Sequence, residues 1–248
     1  MKQITFACNW KMYVDTPARA QALAQTSIAA SRSARIPLIL LPSAIHLAAV
    51  GAAGGKKHAG VWYGVQAVDA HSDGAYTGEI SARQARASGA SYALVGHSER
   101  RRLFGETEAV IGEKLQRAWE AGIVPILCVG ESKKTTPDRA ATFACAQLVR
   151  ASRAGTSRKS WYVAYEPVWA IGGNKIVDPE YAAAVMKALY ACAQKQKVHL
   201  RGLWYGGSVN QKTIADFLKI KECTGVLIGS ASTNPRSIAA LCAIAARR

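Results

Sequence analysis

Acidic side chains are scarce in this chain. Sixteen Asp and Glu stand against 32 Lys and Arg, leaving a net charge of +16 over 248 residues. Such a surplus points toward anionic partners: phosphorylated metabolites, nucleic acid or a membrane surface. The cations are dispersed, however, and the longest run is Arg100-Arg101-Arg102, too short for a polyanion-binding tail. A solvated basic surface is therefore expected, and nucleic acid is not an expected partner. The six cysteines are irregularly spaced and form no C-x-x-C pair, which excludes a disulfide framework and fits a reducing compartment. The five histidines form no H-E-x-x-H or H-x-H pattern, so no metal or other cofactor is expected. Long apolar runs are missing as well. The most apolar region, residues 36–53, is interrupted by Pro37, Pro42, Ser43 and His46, so no membrane span is expected. The start, Met1-Lys2-Gln3-Ile4, lacks the pattern of a signal peptide, and the expected location is the cytoplasm.

What the chain does have is apolar residues, 50% of the total, arranged in a regular alternation. Short apolar runs fall at 4–8, 37–41, 61–65, 92–95, 123–129, 161–165, 200–205 and 225–228. Helix-like segments lie between them. Several open on a capping residue followed by proline, as in Thr16-Pro17, Thr136-Pro137, Asp178-Pro179 and Asn234-Pro235. Continuous apolar strands alternating with helices imply a parallel sheet covered by helices. Eight such units in about 250 residues fit an α/β fold of one domain spanning 1–248, a (β/α)8 barrel. A doubly wound open sheet usually shows a glycine-rich turn after its first strand, whereas here the first strand runs into Asn9-Trp10-Lys11.

In such barrels the chemistry sits at the C-terminal ends of the strands. The first strand delivers Asn9 and Lys11, which share a face of an extended chain. The fourth delivers His97 just before Ser98, read here as a helix N-cap. A histidine facing the positive end of a helix dipole is expected to be a neutral imidazole. Glu99 suits a structural role, neutralising Lys11 or a nearby arginine. The sixth strand ends on Glu166, followed by Pro167, which has no N–H for a sheet, and by Gly172-Gly173. A stiff apolar stretch leading to a permissive tip has the composition of a lid. After the seventh and eighth strands come Gly206-Gly207-Ser208 and Gly229-Ser230, turns whose N–H groups can converge on a phosphate. One carboxylate, one imidazole, one lysine and a phosphate cradle suit proton abstraction next to a carbonyl. Glu166 would take the proton, and His97 and Lys11 would stabilise the developing enediolate.

These residues sit in longer motifs: Asn9-Trp10-Lys11-Met12, Gly74-Ala75-Tyr76-Thr77-Gly78-Glu79, Val95-Gly96-His97-Ser98-Glu99-Arg100-Arg101, Leu127-Cys128-Val129-Gly130-Glu131, Tyr165-Glu166-Pro167-Val168-Trp169-Ala170-Ile171-Gly172 and Tyr205-Gly206-Gly207-Ser208. With six motifs in order, the chain resembles the triosephosphate isomerase family over essentially its whole length. That family is itself a standard example of a glutamate base beside a neutral histidine under a closing loop. The resemblance implies interconversion of dihydroxyacetone phosphate and glyceraldehyde 3-phosphate, in glycolysis and gluconeogenesis. It implies Glu166 as proton acceptor, His97 as electrophile, Asn9 and Lys11 on the substrate, and main-chain groups at Gly172, Ser208, Gly229 and Ser230 on the phosphate. It also implies a homodimer, with the 69–79 loop carrying Thr77 to the neighbouring site. The chain departs from the family pattern in four places. Ser230 stands where a second glycine is usual, and Gly173-Asn174 forms the lid tip. Ile176-Val177 makes a bulky far hinge, and Ala67 replaces a usual asparagine. A basic polyanion-binding or scaffold protein retaining the barrel is the competing reading, and the intact Asn9, Lys11, His97 and Glu166 weigh against it.

Overall fold

A computed structural model describes residues 4–54, 59–153, 160–172 and 175–247. Eight parallel strands form a closed barrel in chain order. They are β1 (Thr5–Asn9), β2 (Leu38–Leu41), β3 (Val61–Val65), β4 (Tyr92–Val95), β5 (Val124–Val129), β6 (Trp161–Tyr165), β7 (Leu200–Tyr205) and β8 (Cys223–Ile228). The ring closes where β8 pairs with β1, Phe6 opposite Val226 and Cys8 opposite Ile228. The helices around it are α1 (Pro17–Ala34), α2 (Leu47–Ala53), α3 (Ala82–Ala87), α4 (Ser98–Leu103), α5 (Glu108–Glu120), α6 (Pro137–Arg153), α7 (Pro179–Lys195), α8 (Ile214–Lys219) and α9 (Pro235–Ala246). The expected (β/α)8 barrel is what the chain forms.

Local chemistry accounts for the helix boundaries. Thr16, Thr107, Asp178 and Asn234 each accept a backbone N–H from the first turn of the helix that follows, satisfying donors that have no intrahelical partner. At α3, Ser81 and Gln84 exchange hydrogen bonds in a capping box. One expected helix is shorter than its sequence pattern. The 210–219 stretch opens as turns, with Asn210 N–H on Thr213 Oγ1 and Lys212 N–H on Asn210 Oδ1, and the helix starts only at Ile214.

Two apolar layers hold the barrel. Inside it, Ala7, Ile39, Leu94, Ile126, Ala164 and Trp204 interdigitate. Outside it, the other face of each strand packs on the helices, with Phe6, Leu38, Leu40, Val163 and Leu203 against Leu23, Leu148, Leu189 and Leu241. Burial on both faces is why these strands read as continuous apolar runs rather than alternating ones. Among the described residues, no helix is long and apolar enough to cross a membrane.

Candidate active site

The strand ends deliver the polar residues to one cavity of about 460 Å³. Asn9, Lys11, His97, Glu166, Gly172, Ser208, Gly229 and Ser230 all line it. Every sequence-expected site residue is therefore brought together. The lid tip at 173–174 lies outside the described residues.

Glu166 follows directly on β6, and its side chain is 2% exposed. Its N–H donates to the Val129 carbonyl at 2.7 Å. Its Oε2 accepts the Ser98 N–H at 3.0 Å. Oε1 lies 3.2 Å from His97 Nε2 but makes no aligned hydrogen bond with any described residue. A buried carboxylate oxygen without a partner is costly, and this one faces the cavity. Beneath it, the fully buried Cys128 thiol is pushed well up, first by burial and then by the Glu166 charge. It stays a neutral thiol below the carboxylate.

His97 corrects one expectation. Ser98 was expected to cap the helix, but His97 is the N-cap of α4 and Ser98 its first residue. His97 Nδ1 accepts the Glu99 N–H at 3.2 Å. Accepting there leaves Nδ1 without a proton, so the ring is a neutral imidazole carrying its proton on Nε2, toward Glu166. As the first residue of α4, Ser98 has no intrahelical acceptor for its N–H, which goes to Glu166. The Asn9 amide nitrogen stands 3.5 Å from His97 Nε2.

Lys11 is held from several directions. Its φ is +48°, an uncommon conformation for a non-glycine residue and one that persists only where the surroundings enforce it. Its N–H donates to Asn9 Oδ1 at 3.1 Å, and its carbonyl accepts from Ser43 Oγ at 3.0 Å and Gln66 Nε2 at 2.9 Å. Its Nζ pairs with Glu99 at 2.6 Å. Glu99 thus neutralises Lys11, the first of the two structural roles open to it.

The segment expected to form a lid begins at Pro167 and turns through a 3-10 helix at Val168–Ala170. The Trp169 indole donates to Glu131 Oε1 at 2.6 Å, and Ser208 Oγ donates to the Ala170 carbonyl at 2.5 Å. Gly172 takes φ +74°, which glycine adopts at no steric cost. At the far hinge, Ile176 is exposed while Val177 is buried in the outer core. Ser230 is exposed at the cavity rim and starts a second 3-10 turn, Ser230–Thr233.

The supports of Glu166 carried no signal in the sequence beyond their motif. Buried Glu131 accepts from Tyr165, Trp169 and Tyr181. Buried Gln147, on α6, accepts the Gly130 N–H at 2.7 Å. A Cβ on Gly130 would meet the Glu166 carbonyl oxygen at 1.8 Å, so only glycine fits beside that backbone.

The model of the triosephosphate isomerase family matches residues 4–245. The chain belongs to the triosephosphate isomerase family. A triosephosphate isomerase of Thermus thermophilus is 40% identical to it, covering 99% of this chain and 100% of the relative. One from Symbiobacterium thermophilum is 36% identical over 99% and 98%. One from Leifsonia xyli is 36% identical over 95% and 94%. Size alone would not have chosen this cavity. A larger hollow of about 620 Å³ lies against the 69–79 loop, α3 and α5. Its Arg83 and Arg117 are already paired with Asp73 and Glu120.

Proposed function

We propose that the protein interconverts dihydroxyacetone phosphate and D-glyceraldehyde 3-phosphate, an aldose–ketose isomerisation of glycolysis and gluconeogenesis. The observation that carries this reading is the unclaimed Glu166 Oε1, buried and facing His97 Nε2 at 3.2 Å in a cavity shared with Lys11. Glu166 takes a proton from the carbon next to the substrate carbonyl and returns it to the neighbouring carbon. His97 donates a hydrogen bond from Nε2 to the oxygen that becomes enediolate, and the Lys11 ammonium adds positive charge on the same side. Asn9 orients the substrate beside them. The substrate phosphate is held by N–H groups at Gly172, Ser208, Gly229 and Ser230, with the lid closing to exclude water. The whole chain, 1–248, acts as one catalytic domain in the cytoplasm.

A homodimer formed through the 69–79 loop belongs to the same proposal. Residues 71–79, Thr77 among them, are exposed throughout. Met12, Ile45 and Phe104 are also exposed, at 92, 83 and 65%, a set of apolar side chains suited to burial against a second copy.

Glu166→Asp tests the chemistry. It withdraws the carboxylate by about one bond length, and turnover should fall on the order of 10²-fold or more. Wild-type turnover of the variant in a coupled isomerase assay would remove Glu166 from the role of base.

A further inference from the structure

The cations that are dispersed in sequence are gathered by the fold. Each helix runs back against its strand, so helix C-termini and strand N-termini share the barrel face opposite the active-site cavity. Five successive helices, α6, α7, α8, α9 and α1, are neighbours round that ring. At this face α1 ends beside Arg32 and Arg35, and α6 ends with Arg150 and Arg153, all exposed. Exposed Lys195 and Lys197 follow at the end of α7, and Arg201 at the start of β7. Lys219, Lys221 and Arg247, exposed too, complete the arc at the ends of α8 and α9. Acids among these chain ends are Glu222 and Asp216, the latter paired with Lys219 at 2.8 Å.

Helix dipoles explain part of this pattern, since cations are favoured at C-termini. They ask equally for acids at N-termini: α6, α7 and α8 carry Asp138, Glu180 and Asp216 in their first turns, whereas α1 and α9 carry none. The dipole therefore leaves unexplained the excess of cations on α1 and α9. At the centre of the same face the barrel mouth holds an aromatic file. Trp62, 37% exposed, shares a face of β3 with Gly64, whose added Cβ would meet Leu41 of the inner cluster, and so points inward. It meets Tyr92 edge-on at 6.1 Å between centroids. Tyr92 lies 6.1 Å from Tyr162, which stacks on Trp204 at 4.3 Å. The arc also lies across the ring from the 69–79 loop, which leaves the barrel between β3 and α3. Dimerisation through that loop leaves the arc uncovered.

We propose that this face is a docking surface for single-stranded nucleic acid, distinct from the isomerase site. The phosphates lie along the cationic arc, and a base stacks on Trp62 in the barrel mouth. Base–aromatic stacking beside a cationic track is the general means by which single strands are bound without sequence preference. A duplex or an anionic lipid surface would meet the cations but could not insert a ring into the mouth, so the inward aromatic favours an unpaired strand.

The test is fluorescence anisotropy of a labelled oligouridylate of about 20 nucleotides, read between roughly 50 and 200 mM salt. Three charges are removed from the arc by Arg150→Gln, Arg153→Gln and Lys195→Gln together. A control removes three from helix beginnings by Arg19→Gln, Arg83→Gln and Arg139→Gln. Isomerase turnover reports that each variant is folded. The arc variant should weaken binding and make the log–log salt slope shallower by about 2, as expected for three lost phosphate contacts. The control should do neither. Trp62→Leu, which keeps an apolar side chain in the mouth, should lose roughly tenfold in affinity with the slope unchanged. Absence of binding at the lowest salt overturns the proposal. So does equal weakening by the two triple variants, which would mean net charge alone. Binding to phosphatidylserine vesicles or a duplex at least as strong as to the single strand, with Trp62→Leu without effect, overturns it as well.

Discussion

Gly130→Ala places a methyl group against the peptide that carries the proposed base. The added Cβ would stand 1.8 Å from the Glu166 carbonyl oxygen and 2.6 Å from its carbonyl carbon. Real Cβ atoms essentially never approach within 3.0 Å, so the two backbones must part by about 1.2 Å. Neither side yields easily. Gly130 is tied through its N–H to Gln147, and Glu166 through its N–H to Val129, both at 2.7 Å. The movement is therefore delivered to Glu166, whose carboxylate is set by the Ser98 N–H at 3.0 Å. A misplacement of about 1 Å at a reacting group costs roughly 10²-fold in rate, and overpacking costs about 1–3 kcal/mol in stability. For a chain of this size that stability loss lowers Tm by roughly 2–12 °C. The coupled isomerase assay should show kcat reduced by about 10² with KM changed much less, because the turns proposed to hold phosphate follow β7 and β8. A folded variant with wild-type kcat would refute the reasoning: it would mean either that the backbone relaxes elsewhere or that Glu166 is not the base.

Trp169→Phe keeps an aromatic ring but removes the indole N–H held by Glu131 at 2.6 Å. Hydrogen bonds to charged acceptors contribute about 1.5–3 kcal/mol, so thermal unfolding should shift down by several degrees and kcat should change with the loosened lid stem. An unaltered Tm would show that water replaces the indole without cost. Alkali should unfold the protein through its buried phenols. Tyr165 and Tyr205 are pushed far up by burial, then by the Glu131 charge, and Tyr181 is raised for the same reasons to about 12. A raised folded-state value means stability that is complete below the ordinary phenol value of 10.0 and lost as pH rises through 12 and beyond. Calorimetry should show Tm falling above about pH 10, less steeply in Tyr181→Phe. Parallel slopes in the two proteins would rule out Tyr181 as a contributor.

The barrel was legible because burial on both faces makes each strand a plain apolar run. The structure places β3, β4, β6 and β7 at the expected bounds. The proposed site was legible for a related reason. Polar residues at the C-terminal end of an otherwise apolar strand have few places to go, and Asn9, Lys11, His97 and Glu166 converge there. Side chains acting across the barrel were not legible. Nothing local marks Gln147 as the partner of Gly130, or distinguishes Glu131 from a surface acid, because both contacts depend on strands and helices brought together from afar. Ser98 reads as an N-cap on residue type, yet the histidine before it takes that role. Linear dispersal likewise hid the cationic arc, since a barrel places the C-terminal ends of sequence-distant helices side by side.

The pairing of β1 with β8 carries a consequence for how the molecule is made. The first strand emerging from a ribosome must wait for the last, Cys223–Ile228, before its free edge is covered. At roughly 5–20 residues per second that interval is on the order of ten to forty seconds. Throughout it the growing sheet presents two unpaired borders, each a template for pairing with another nascent chain. Truncation before Cys223 would make that transient permanent. A fragment containing the first seven strands should therefore appear in the insoluble fraction, even though it retains Asn9, Lys11, His97 and Glu166.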